Sequence, residues 1–344
     1  MTKTNFILSL FHHGFKVRWT TAYFVLIGKR TNSVLTYAAC YHLLPFFHLF
    51  PKMKKEAFYS EIETLLQQEW LSMDEKNFVQ ITPRGKQQVD QLDLNCVDKM
   101  NRYYDYQVKE NVFRRFLLTI QLVSEKSYAN CQYCAVESKL SLQQQVAYQW
   151  KNTHASFSEV KAGVYKELVD LLKTFPQPLA YITIFQLSGH HITAKTSDQL
   201  ADLLCCPLFE VELYIEQLKS RLCQLSQTSY PWLYYFIMPQ LNPISFQSQK
   251  IKEGIEQGKS IKVMSEQLHK KEGTIFDYVV EWAIEESNFP FSKFISKEDH
   301  QRLMQYYHCH PNVGLWDYKE IRKQYEELSF HSFRLFQIKE GLRC

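Results

Sequence analysis

The chain has 344 residues, 45% apolar and 22% charged, with a net charge of +4. That length allows two or three domains of ordinary globular composition, and the scarcity of Gly (10) and Pro (11) favours helices and excludes long low-complexity linkers. No apolar run approaches the roughly 18–20 residues of a membrane span, and the stretch from Phe6 to Phe11 is too short for a signal peptide. The nine cysteines, with Cys205 and Cys206 adjacent, show no regular framework, as expected of reduced thiols in a cytoplasm.

Residues 1–95 are expected to form a winged-helix-like domain. "TNFILSLFHHG" predicts a first helix ended by Gly14, and "WTTAYFVLIGKR" a second stopped by Gly28. A third begins at Thr31, Asn32 or Ser33, each able to cap it, and a fourth covers about Lys54 to Gln68. "WLSMDEKNFVQITPRG" then predicts two short strands around a turn at Asp74 to Asn77. The charge excess lies here: residues 1–95 carry eleven Lys and Arg against eight Asp and Glu, while residues 243–344 carry fifteen of each.

Residues 96–242 are expected to form a helical middle domain, with helices at 99–126, 156–174, 179–188, 197–204, 208–223 and 231–238. Thr196 and Gln199 have capping-box spacing, and Pro207 suits the start of the next helix. The Pro-bearing segments 174–180 and 238–245 are the joints, and the second marks a domain boundary. Glu159, Glu167 and Glu212 are expected on solvated helix faces.

Residues 243–344 begin with "KEGIEQGKSIKVMSEQL", whose Gly254-to-Ser260 segment superficially suggests a phosphate-binding loop. That motif needs four residues between its glycines and a buried strand before them; here there are three, after a helical pattern. Gly258 is instead a helix stop and Ser260 the cap of the next helix. Two matched apolar faces follow, Ile261, Met264 and Leu268 in one helix and Ile275, Tyr278, Val279 and Trp282 in the next. The pattern is a helix-turn-helix, and the fold class expected for the whole chain is mainly α.

"GKSIKVMSEQLHKKEGTIFDYVVEWA", followed by "FISKEDHQRLMQYY" and "LSFHSFRLF", resembles the helicase-associated helix-turn-helix domain of some RecQ-type DNA helicases. The same domain ends a family of Firmicute proteins of the YpbB type, which resemble stand-alone companions of such a helicase. "LIGKRTNSVLTYAACYHLLPFFHLFPKMKKEAFYSEIETLL" is similar to the start of that family. The resemblance implies a non-enzymatic accessory protein, cytoplasmic and nucleoid-associated, that binds DNA non-specifically and works with a RecQ-type helicase in repair or recombination. A helix-turn-helix transcription regulator and a protein-only adaptor are the alternatives.

The main candidate DNA site is Lys29, Arg30, Thr31, Asn32 and Ser33, with Thr36 one turn on. Cations, hydroxyls and free N–H groups converge there on a helix start, which suits a phosphate; a solvated, N-capped turn is the alternative. Lys16 and Arg18 extend the patch. Lys52, Lys54 and Lys55 form a second basic cluster, and Lys76 and Arg84 sit where a wing touches a backbone. In the C-terminal unit, Phe276, Val280 and Ile284 form an apolar stripe beside Asp277, Glu281 and Glu285. Either downstream helices near 297–307 and 317–327 cover this stripe, or Phe276, Asp277, Val280, Glu281 and Ile284 form an open groove for the partner helicase. The acidic helix has no Lys or Arg from Gly273 to Glu286, which counts against a direct reading of DNA.

Cys131 and Cys134 have the spacing of half a zinc site, whose other half would come from His308, Cys309 and His310; core or surface thiols are the simpler reading. The doublets His12-His13 and His190-His191 show no carboxylate partner in the sequence. No nucleophile elbow, zincin motif or dinucleotide fingerprint is present, so neither an enzyme nor a cofactor is expected.

Overall fold

The computed structural model describes residues 1–97, 100, 108–238 and 246–342. The protein is mainly helical, with one small sheet. The chain divides into two compact units, Met1–Phe6 with Asp90–Pro243, and Ile7–Val89 with Ile244–Cys344. Three consecutive domains were expected; instead the first and last segments fold together. The physical reason is one apolar helix in the first segment whose covering helices lie in the last.

That helix is α3 (Asn32–Cys40), preceded by α1 (Lys3–Ser9) and α2 (Trp19–Ile27). Val34, Leu35, Ala38 and Ala39 of α3 are buried, so it offers apolar surface on more than one side. One side meets α2. The others meet α15 (Glu272–Glu285) and α18 (Phe330–Gly341) from the C-terminal segment. The crossing with α18 is close: a Cβ on Gly341 would stand 3.0 Å from the Cα of Cys40. Gly28, with φ +77°, ends α2 by donating its N–H to the carbonyls of Phe24 and Val25, and a Cβ there would strike His48.

Beyond α3, helix α4 (Lys55–Gln67) leads into β2 (Leu71–Met73) and β3 (Phe78–Ile81). With β1 (Val17–Arg18) these form an antiparallel sheet of order β1-β3-β2, pairing Val17 with Val79 and Leu71 with Ile81. Alternation places Val17, Leu71, Val79 and Ile81 inside. Asp74 shapes the hairpin tip by accepting from the N–H groups of Lys76 and Phe78, both at 2.9 Å. Helix α5 (Pro83–Asp90) follows.

In the C-terminal segment, α13 (Phe246–Glu256), α14 (Ile261–Leu268) and α15 pack on one another. Gly258 has φ +90° and Ser260 Oγ caps α14 by accepting from the Val263 N–H. Gly254 lies inside α13, where a Cβ would strike the Met264 sulfur, so its role is helix packing. Ile275, Val279 and Trp282 are buried, and so are Phe276, Val280 and Ile284. The second stripe is therefore not an open groove. It is covered chiefly by α3 and α18 rather than by α16 (Lys297–Cys309) or α17 (Tyr318–Gln324), and α16 packs on α18.

The other unit contains α6 (Lys109–Ser127), α7 (Leu140–Asn152), α8 (Phe157–Lys173), α9 (Gln177–Phe185), α10 (Ser197–Leu204), α11 (Leu208–Cys223) and α12 (Pro231–Ile237). Helix α7 was not anticipated, and the start of the expected helix 99–126 and the joint 238–245 lie largely outside the described residues. Thr196 and Gln199 form the capping box that their spacing implies. Two expectations are corrected. Glu167 is buried, not solvated, and its carboxylate accepts from the N–H groups of Trp232 (3.0 Å) and Leu233 (2.8 Å) at the start of α12. His190 does have a carboxylate partner, with its Nδ1 3.1 Å from Glu125.

Two outcomes follow from this packing. Phe276→Ser removes a ring that is 1% exposed and should lower unfolding stability by about 3–5 kcal/mol in a denaturant titration. His13 stacks on Tyr41 at 4.3 Å, and burial, followed by the charges of His12 and Lys86, lowers its pKa from 6.5 to about 4. Its neutral form therefore contributes stability fully present above pH 6.5 and lost as pH falls towards 4. His13→Phe should flatten stability across that interval, measured as denaturation midpoints at a series of pH values.

Candidate nucleic-acid interface

The amino end of α3 carries the unsatisfied N–H groups common to all helix starts, and Thr31 supplies no side-chain cap. Asp277 of α15 takes that role from outside the helix, accepting from the Asn32 N–H at 3.1 Å. Burial holds the Asp277 carboxyl above its ordinary range, while the Asn32 bond opposes that rise. Beside it, Arg30 donates through Nε to Glu281 at 2.7 Å and through its second guanidinium nitrogen to the other carboxylate oxygen. This is a two-pronged charge-assisted contact, and Glu281 is largely buried. The Arg30 guanidinium also lies 5.9 Å from the Tyr278 ring centre.

This geometry corrects the leading DNA candidate. Carboxylates of the same protein already occupy the place proposed for a phosphate. Ser33 is exposed but bonded to Asn32 and Arg334, and Thr36 is 2% exposed within the core. Lys29 remains exposed, with its ammonium 4.0 Å from the Phe24 ring centre. The acidic residues assigned to a partner groove are corrected likewise: Asp277 and Glu281 face α3, and Phe276, Val280 and Ile284 are interior.

A different arrangement is open to solvent. The start of α4, the β1–α2 junction and the hairpin tip enclose a cleft of about 810 Å³. Arg18, Lys55 and Lys76 line it, together with Trp19, Thr20, Tyr59, Asn77, Glu56 and Glu63. All three cations are exposed, and no ion pair engages them among the described residues. Lys55 and Arg18 lean over aromatic rings, 5.5 Å from the centre of Trp19 and 5.2 Å from that of Phe78. Lys54 is exposed just before α4. Arg84 is outside the cleft lining and pairs with Glu69 at 3.2 Å. Lys16 pairs with Asp74 at 2.8 Å. The cleft thus gathers Lys55 and Lys76 with Arg18 and leaves the other candidates aside.

The helix-turn-helix offers a second basic surface that the sequence reading passed over by starting at Gly273. Lys262 and Lys271 are exposed and Lys270 half-exposed around the turn between α14 and α15. Glu272, Gly273 and Thr274 keep the first turn of α15 in solvent, whereas the rest of that helix is mostly buried. Lys262, Lys270 and Lys271 were findable as the "HKK" and "IKV" lysines flanking the predicted turn.

The Arg30 contact should register as stability and not as DNA affinity. Arg30→Ala leaves the Glu281 carboxylate without its two-pronged partner. The expected loss is about 1.5–3 kcal/mol in denaturant titration, with DNA binding of the folded protein unchanged.

Residues 249–337 match the family model described as a helix-turn-helix domain, which suggests DNA binding. No solved structure gives a significant match. Among curated proteins, Protein YpbB of Bacillus subtilis (strain 168) is 22% identical over 329 residues, covering 92% of this chain and 89% of its own length. Over nine-tenths of its length the chain is thus YpbB-like, and at its C-terminal end it carries a helix-turn-helix domain.

Proposed function

We propose that this protein is a non-enzymatic DNA-binding accessory factor that holds the nucleic-acid backbone in the cleft of Arg18, Lys55 and Lys76. The observation that carries the reading is this convergence of three unpaired cations from a helix start, a strand end and a hairpin tip on one concave surface. Cations from separate elements, fixed by the fold, match phosphates spaced along a strand. Glu56 and Glu63 in the same cleft moderate its field, so the binding is weak and indifferent to sequence. Trp19 and Tyr59 add aromatic surface beside the cations, an arrangement that suits unpaired bases as well as a duplex.

The helix-turn-helix domain resembles that of RecQ-type helicases, and this supports a role beside such a helicase in repair or recombination. The buried, acidic body of α15 argues against a sequence-reading transcription regulator, since only its first turn is open to a groove.

In titrations of labelled DNA with the full chain, log affinity should fall against log salt with a slope of about −2 to −3, corresponding to three phosphates. Lys55→Glu with Lys76→Glu should weaken binding about tenfold at low salt, equally for all sequences, and make the slope shallower by about 2. If that pair changes nothing while Lys262→Glu with Lys271→Glu abolishes binding, the helix-turn-helix and not the cleft is the DNA face. Retention of a purified RecQ-type helicase on the immobilised protein tests the partner separately; no retention would remove the helicase from the proposal and leave the DNA face standing.

A further inference from the structure

The helical unit holds a second concavity that the DNA reading does not use. It measures about 290 Å³ and lies among α6, α7 and the segment between them. Leu118 and Leu122 of α6 and Val146, Ala147 and Trp150 of α7 give it an apolar lining. Lys126 and Lys151 also line it, and no Asp or Glu does. Both lysines are exposed and have no ion-pair partner among the described residues. Lys126 places its ammonium 4.7 Å from the centre of the Trp150 ring, which directs that charge towards the pocket.

We infer that this pocket captures an acidic peptide segment of a partner protein, seating one bulky apolar side chain while flanking carboxylates meet Lys126 and Lys151. The chemistry is complementary in both parts. A mostly apolar recess, in which Tyr133 and Gln143 are the uncharged polar residues, favours a Leu or Phe side chain, and two cations at its edge favour negative charge beside it. A volume of about 290 Å³ accommodates one bulky apolar side chain, and the two lysines at its edge supply the partners for carboxylates on either side of it. The cleft of Arg18, Lys55 and Lys76 differs, having carboxylates of its own and an open shape nearly three times as large.

The test uses the full chain and the fluorescein-labelled peptide Asp-Asp-Glu-Leu-Phe with a free carboxyl terminus, followed by anisotropy. Micromolar binding is expected. It should weaken at least about tenfold when Ser replaces the peptide's Leu and Phe, or when Lys replaces its acidic residues. Lys126→Glu with Lys151→Glu, and separately Ala147→Trp to fill the recess, should each produce a similar loss. All three positions are exposed, and circular dichroism confirms that the variants remain folded. No binding by the unaltered protein overturns the inference, as does binding that survives both variants. Equal affinity for the Ser-substituted peptide also overturns it, because the attraction would then be charge alone. Displacement by palmitate at equal concentration would reassign the pocket to a lipid.

Discussion

A helix that is apolar on several sides has no stable place at a surface, and its first turn has N–H groups that need acceptors. Helix α3 meets both conditions through residues far away in the sequence. Asp277 accepts from Asn32 across 245 positions and Glu281 binds Arg30 across 251. The apolar faces of α2, α15 and α18 close around Val34, Leu35, Ala38 and Ala39. From this one arrangement come the joining of the two ends of the chain into one unit, the burial of Phe276 and Val280, and the negative charge of α15. The carboxylates that count against α15 as a reader of DNA are those that hold α3.

Local signals were legible in the sequence because local physics sets them. Gly258, Ser260, the Thr196–Gln199 box and the Asp74 turn each act over a few residues, and each has the role its type implies. Helix α7 escaped notice for the same reason. It begins after Lys139, which supplies no cap, and runs through consecutive glutamines that give little apolar period. Periodicity reveals that a face is buried but not what buries it. The stripe at Phe276, Val280 and Ile284 was evident, whereas its cover of α3 and α18 was not. Glu167 could not be separated from a solvated glutamate, because its partners at Trp232 and Leu233 lie 65 and 66 residues away.

The candidate site shows the same division. Lys55, Lys76 and Arg18 come from three separate elements, and no spacing rule links them; only the sheet register and the start of α4 bring them into one cleft. Arg30, by contrast, had every local attribute of a phosphate ligand. Its assignment failed because a basic turn at a helix start attracts any carboxylate, including one from the same chain. The distinction between an internal and an external anion is a tertiary fact. It depends on Glu281 and Asp277 arriving with α15.

The discontinuity of the unit containing α3 has a consequence for how the protein is made. Ribosomes deliver the chain from its first residue onwards, at about 5–20 residues per second. Val89 and Ile244 are separated by nearly all of the other unit, so α3 leaves the ribosome roughly 10–50 s before α15 exists to cover it. For that interval Val34, Leu35 and their neighbours have only the nascent first segment to bury them. The helical unit, nearly complete within residues 90–243, is able to fold in the meantime. Synthesis therefore imposes an order, with the inserted unit first and the flanking unit last. Until α15 and α18 emerge, two of the apolar sides of α3 lack the helices that cover them in the finished fold.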